Sequence, residues 1–84
     1  MGFDAVWARI EANQGQTFHQ KRGGEFTYVI TSGCVVPDRT NRQLPRSHFE
    51  RAYERAPLSG PGELQDLQGP SYLYAILTDA RVRE

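Results

Sequence analysis

Eighty-four residues allow one folded domain, and a chain this short buries only roughly two-thirds of the surface its unfolded form exposes. Ten Lys+Arg against ten Asp+Glu give zero formal net charge, which argues against a polybasic protein that holds nucleic acid by bulk charge. An apolar fraction of 38% with 11% aromatics is too rich for a disordered tail, and no apolar run approaches the roughly 18 residues of a membrane span.

The first element is a helix. Phe3, Val6, Trp7 and Ile10 recur at i, i+3, i+4 and i+7 and cover one narrow stripe. Asp4 stands in the first turn, where an acid suits the helix dipole, and the Asn-Gln-Gly run at 13–15 predicts the stop. Three short strands follow. Residues 16–20 make the weakest, with Phe18 its only large apolar side chain, and the Lys-Arg-Gly-Gly run at 21–24 reads as a turn. Residues 25–31 make the strongest, with Phe26, Tyr28 and Ile30 alternating with Thr27, Val29 and Thr31. Ser32-Gly33 is a two-residue hairpin turn that returns residues 34–36 as the partner strand, and Pro37, lacking an amide donor, marks an edge or an end.

Residues 38–45 read as a polar turn with a short extended piece. Ser47-His48-Phe49-Glu50 fits a capping box and predicts a helix over 48–56, stopped by Pro57. Residues 58–69 are loop-like, with one helical turn expected at 63–67. Gly69-Pro70-Ser71 opens a last helix, whose Tyr72, Leu73, Ile76, Leu77 and Ala80 form a wide apolar face. The order predicts an α+β domain: a small three-stranded antiparallel meander packed by an N-terminal helix and two C-terminal helices. The expected core is Phe3, Val6, Trp7, Ile10, Phe26, Tyr28, Ile30, Phe49, Tyr53, Tyr72, Ile76 and Leu77.

Cys34 is the only cysteine, so no internal disulfide staples the fold. Residues 1–12 carry Asp4, Arg9 and Glu11 where a signal peptide needs an apolar centre, and a cytoplasmic protein without membrane attachment is expected.

Charge is sorted along the chain. Residues 16–55 hold seven basic side chains (Lys21, Arg22, Arg39, Arg42, Arg46, Arg51 and Arg55) against four acids (Glu25, Asp38, Glu50 and Glu54), a local charge of +3 in a neutral protein. At about 100° per residue, Phe49, Ala52, Tyr53 and Ala56 form the apolar sector of the 48–56 helix. His48, Arg51 and Arg55 flank it on one side, and Glu50 and Glu54 on the other. A helix start with Arg46, Ser47 and His48 beside it can bind a phosphate, and Arg39-Thr40-Asn41-Arg42 adds donors of the kind that touch phosphates and base edges. The expectation is a non-enzymatic DNA-binding module that uses Arg39, Arg42, Arg46, Arg51 and Arg55, with Lys21 and Arg22 in support. An ordinary solvated helix face beside an Arg-rich loop would carry the same residues.

The competing reading is a protein-interaction or self-association module, a homodimer included. Tyr74, Thr78 and Arg81 face away from the apolar side of the last helix, and exposed Tyr beside Arg is favoured at interfaces. Cys34 with His19 and His48 sets up no recognisable thiol site, and the same three give no metal-ligand spacing. Gly23-Gly24 and Gly60-Pro61-Gly62 match no phosphate-cradling loop, and no cofactor is expected.

Overall fold

The computed structural model describes residues 2–83. In it, Phe3, Val6, Trp7 and Ile10 line the buried stripe of α1 (Phe3–Ala12), as their spacing requires. The helix ends on Asn13, whose backbone N–H reaches the carbonyls of Arg9 and Ile10, and Gly15 turns the chain at a φ of 83°.

Residues 25–31 do not form one strand. β1 (Phe18–His19) pairs antiparallel with β2 (Glu25–Phe26), and β3 (Tyr28–Thr31) pairs antiparallel with β4 (Cys34–Pro37). Thr27 is the junction. Its N–H donates to Asp38 Oδ1 at 3.0 Å, and its carbonyl accepts from the Asp38 N–H at 2.9 Å. This double clip hands the chain from one partner to the next. β5 (Leu44–Pro45) completes the second sheet against β4. The three-stranded antiparallel meander is therefore present, in the order β3-β4-β5, but its third member comes from residues 44–45. Residues 16–20 instead contribute to a separate two-stranded ribbon with β2.

The β3–β4 turn has positive φ at both Ser32 (52°) and Gly33 (76°), the two-residue geometry whose twist matches its strands. Pairing sets Ile30 opposite Val35, and Val35 opposite Leu44, on the face that meets the helices. Val29 stands on the other face and is 53% exposed. Along the free side of β3, the Ile30 N–H donates to Gln14 Oε1 at 2.7 Å, and the Tyr28 carbonyl accepts from the Gly15 N–H at 2.9 Å.

α2 (Arg46–Glu54) begins before the Ser-x-x-Glu pattern predicts, and no side chain caps it. Pro45 is its N-cap residue and still belongs to β5, paired with Cys34, while the Arg46 N–H is tied to the Gly33 carbonyl at 3.3 Å. Sheet pairing thus fixes the helix start, and Ser47 falls inside the first turn rather than at the cap. A short 3-10 turn (Pro61–Leu64) buries Leu64 and leads to α3 (Pro70–Leu77). Gly69 precedes α3 at a φ of 58°, where a Cβ would stand 2.9 Å from Leu44 Cδ2. Both the backbone angle and the neighbour demand glycine.

The core joins two aromatic groups. Phe3 packs on Trp7 and Tyr53, and Trp7 packs on Phe49, between α1 and α2. Phe18 packs on Phe26 and Tyr28, and Phe26 meets Tyr72 of α3 edge-on at 4.9 Å. The Tyr28 hydroxyl donates to the Ile10 carbonyl at 2.7 Å, and burial pushes its ionisation well above the usual tyrosine range. Three expected core residues, Ile30, Tyr53 and Tyr72, are only half-buried, and Ala80 is exposed. Phe18, Val35, Leu44, Leu64, Leu73 and Val82 are fully buried in the same core. Among the described residues, no helix is long and apolar enough to cross a membrane.

Candidate nucleic-acid interface

The seven basic side chains divide into groups with different surroundings. Arg46 sits at the seam between α1 and α2. Its guanidinium pairs with Asp4 and lies 5.4 and 5.6 Å from the ring centroids of Phe3 and Trp7. Arg51 and Arg55 share the flank of α2 that their spacing predicts, but the chain after the 3-10 turn brings Asp66 against that flank. Arg55 Nη1 and Nη2 donate to Asp66 Oδ1 and Oδ2 at 2.6 and 2.7 Å, and Nη1 also reaches the Glu63 carbonyl at 3.3 Å. This fork holds the Asp66 carboxyl down to about 2, and Arg51 adds to the same effect from further away. Exposed ion pairs of this kind contribute little to folding. Their consequence here is electrostatic, because a phosphate approaching Arg46 or Arg55 has to displace a carboxylate.

The hairpin between β1 and β2 is different. Its turn is closed by the Gln20 N–H on the Gly24 carbonyl at 2.7 Å and the Gly23 N–H on the Gln20 carbonyl at 2.9 Å. This presents Lys21 and Arg22 at the tip. Arg39, from the loop between β4 and β5, lies against the same hairpin. Its Nη1 is 3.5 Å from the Glu25 carbonyl and 2.8 Å from where a Cβ on Gly24 would stand, so glycine there makes room for the guanidinium. Lys21 Nζ donates to the Ser59 carbonyl at 2.9 Å and stands 5.7 Å from the Tyr74 ring centroid. The side chains of Arg22 and Arg42 make no hydrogen bond or ion pair among the described residues. Three cations from two separated segments therefore share one edge, with Arg42 in the loop of Arg39. The acids nearby are occupied: Glu25 Oε2 lies 3.0 Å from His19 Nε2, and Asp38 holds Thr27.

The start of α2, where the sequence suggests a phosphate site, has His48 turned inward. Its Nδ1 accepts from the Gln68 N–H at 3.0 Å, so in the neutral ring Nε2 carries the proton.

Between the hairpin and the 60–62 turn runs a groove of about 760 Å³, lined by Gln20, Lys21, Arg22, Gly62, Gln65 and Ser71 among others. Gln20 Nε2 donates to Ser71 Oγ at 3.1 Å across its floor. Glu63 spends Oε1 on the Ser59 N–H, the Ser59 hydroxyl and the Gly60 N–H, which hold its carboxyl below the usual range, and the charge of Lys21 adds to the effect. A second, mainly apolar cleft of about 600 Å³ lies between α1, the end of α2 and the end of α3, lined by Val6, Tyr53, Pro57, Leu58, Leu77 and Thr78 among others.

Tyr74, Thr78 and Arg81 have different surroundings. Tyr74 is half-buried beside Lys21. The Thr78 hydroxyl donates to the Tyr74 carbonyl at 2.6 Å, and Thr78 lines the apolar cleft. Arg81 folds back onto β1: it donates to both Asp79 oxygens and to the Thr17 carbonyl, and its guanidinium lies 4.0 Å from the Phe18 ring centroid. The hydrogen bond from Arg81 lowers the Asp79 carboxyl. Cys34 is half-buried opposite Thr31 and Pro45, while His19 and His48 are engaged with Glu25 and Gln68. Among the described residues, no cluster of His, Cys, Asp or Glu has the make-up of a metal site.

The residues that sequence reasoning misses are Asp66, which neutralises Arg55, and Gln20, Gln65 and Ser71, which line the groove. The run Gly60-Pro61-Gly62-Glu63, with proline opening a turn and an acid three residues after Gly60, carries a readable cap signal. Asp66 carries none. No protein-family model, no curated protein and no solved structure matches the chain.

Proposed function

We propose that this protein is a small non-enzymatic module that binds nucleic acid through phosphate contacts from the hairpin edge: Lys21, Arg22 and Arg39, with Arg42 beside them. The observation that carries this reading is the placement of Arg39 against Gly24, which brings cations far apart in the chain to one edge without a carboxylate bonded to any of them. The reading is narrower than the sequence expectation. Arg46 and Arg55 stay outside it because Asp4 and Asp66 are paired with them, and Arg51 stays with them on α2, away from the hairpin residues that the reading uses. With net charge zero, attraction to a polyanion has to come from such a local excess. A cytoplasmic location accords with this ligand and with a lone free thiol.

Fluorescence anisotropy with labelled DNA across roughly 50 to 200 mM salt tests the reading. The logarithm of the binding constant should fall linearly with the logarithm of salt, and Arg22→Ala and Arg39→Ala should each reduce the slope by about 0.7–0.9. Arg46→Ala should leave the slope unchanged. Absence of binding at the lowest salt, or equal effects from all three variants, would overturn it.

A further inference from the structure

We infer that the groove between the β1–β2 hairpin and the 60–62 turn is a track for one strand of nucleic acid, held by its phosphates and read without base preference. The inference rests on the nucleic-acid reading above and adds the form of the ligand and its path. Three features of the groove support it. Its walls carry Lys21 and Arg22, and no carboxylate is among its lining residues. Its remaining polar groups, Gln20, Gln65 and the Ser71 hydroxyl, offer neutral donors suited to phosphate and sugar oxygens. Its shape is concave, about 760 Å³ between two walls, and Lys21 spans from the hairpin to the Ser59 carbonyl on the opposite one.

Shape decides between strand and duplex. A duplex is read by a convex element, a helix or a two-stranded ribbon, that enters its groove. A concave basic channel instead tracks a single backbone. The channel has no aromatic side chain among its lining residues, so a strand in it is held by phosphate contacts, which carry no sequence information, rather than by stacked bases. With two cations, it should contribute a salt slope of about −1.4 for a single strand, equivalent to a roughly sevenfold loss of affinity between about 50 and 200 mM salt.

Gly62 provides the test. It lines the groove, and a Cβ added there meets nothing within 4 Å, so the position accepts a side chain at the channel wall. Anisotropy should be measured with a short fluorescein-labelled oligothymidylate strand and with a duplex of mixed sequence. The variants are Gly62→Glu, Gly62→Ala and the near-isosteric Gln65→Glu, each checked for folding by circular dichroism. The expected result is single-strand binding at least about tenfold tighter than duplex binding, kept in Gly62→Ala and reduced about tenfold or more in Gly62→Glu and Gln65→Glu. Duplex binding as tight as single-strand binding, or folded acidic variants that bind the strand undiminished while Arg39→Ala weakens it, would overturn the groove and leave the hairpin-edge reading standing. No binding of either probe at low salt would overturn both.

Discussion

Two regions of the surface treat their cations differently. On the helical side, Arg46 and Arg55 each meet a carboxylate, and Arg46 also lies over two buried aromatic rings. Along the hairpin edge, Lys21 and Arg39 donate hydrogen bonds only to carbonyl oxygens, with the Glu63 carboxylate acting on Lys21 from further away, and the Arg22 side chain meets no described partner. A carbonyl satisfies a donor without cancelling its charge, whereas a carboxylate cancels it. The same residue type therefore serves assembly in one region and leaves a positive field in the other. Net charge, and even local charge along the chain, averages over this difference.

Substitutions can break or sharpen the contrast. The largest effect should come from Phe18→Ala, which removes a fully buried ring that packs on Phe26 and Tyr28 and supports Arg81. A loss of about 3–5 kcal/mol is expected by urea denaturation. A much smaller loss would mean that the inner face of the ribbon is not core and the hairpin is loosely attached. Next is Arg81→Ala, expected to lose about 1–2 kcal/mol through its ring contact and its bond to the Thr17 carbonyl. Arg22→Ala should stay within about 0.5 kcal/mol in the same assay. Equal losses for these two arginines would erase the distinction between structural and free cations.

The smallest effect concerns acid. Asp66 titrates near 2 in the folded chain against an ordinary value of 3.8, so the unfolded chain takes up this proton first as pH falls. The stabilisation from the Arg55 fork is therefore complete above about pH 4 and fades as pH drops toward about 2. Thermal midpoints of the wild type and Asp66→Asn should differ slightly at neutral pH and converge over that interval. A gap that stays constant down to about pH 2 would show that the fork does not hold this carboxylate.

Local signals were legible in the sequence where neighbours along the chain settle the outcome. The α1 stripe is buried as its spacing predicts, and Ser32-Gly33 forms the predicted tight turn. The α+β class followed from the order of such segments. The rest depended on contacts between distant residues. Phe18 stands alone in a polar stretch and shows no periodicity, yet it is completely buried because Phe26, Tyr28 and Arg81 close over it. Residues 25–31 alternate apart from Val29, and alternation cannot show that Asp38 will clip the chain at Thr27 and divide it between two sheets. The capping box is a true pattern overruled by β5, whose pairing with β4 sets the start of α2. Seven basic residues could be counted, but their grouping turned on Asp4 and Asp66, which no spacing rule connects to Arg46 and Arg55.

The free margin of β3 has a consequence for how copies of this chain meet. A strand at the rim of a sheet, with Val29 exposed beside it, is a template onto which another chain can add and propagate. Gln14 and Gly15 occupy two of the outward backbone groups of that rim. The turn after α1 thus partly covers that rim, and it gives this small fold a means to resist strand-by-strand polymerisation.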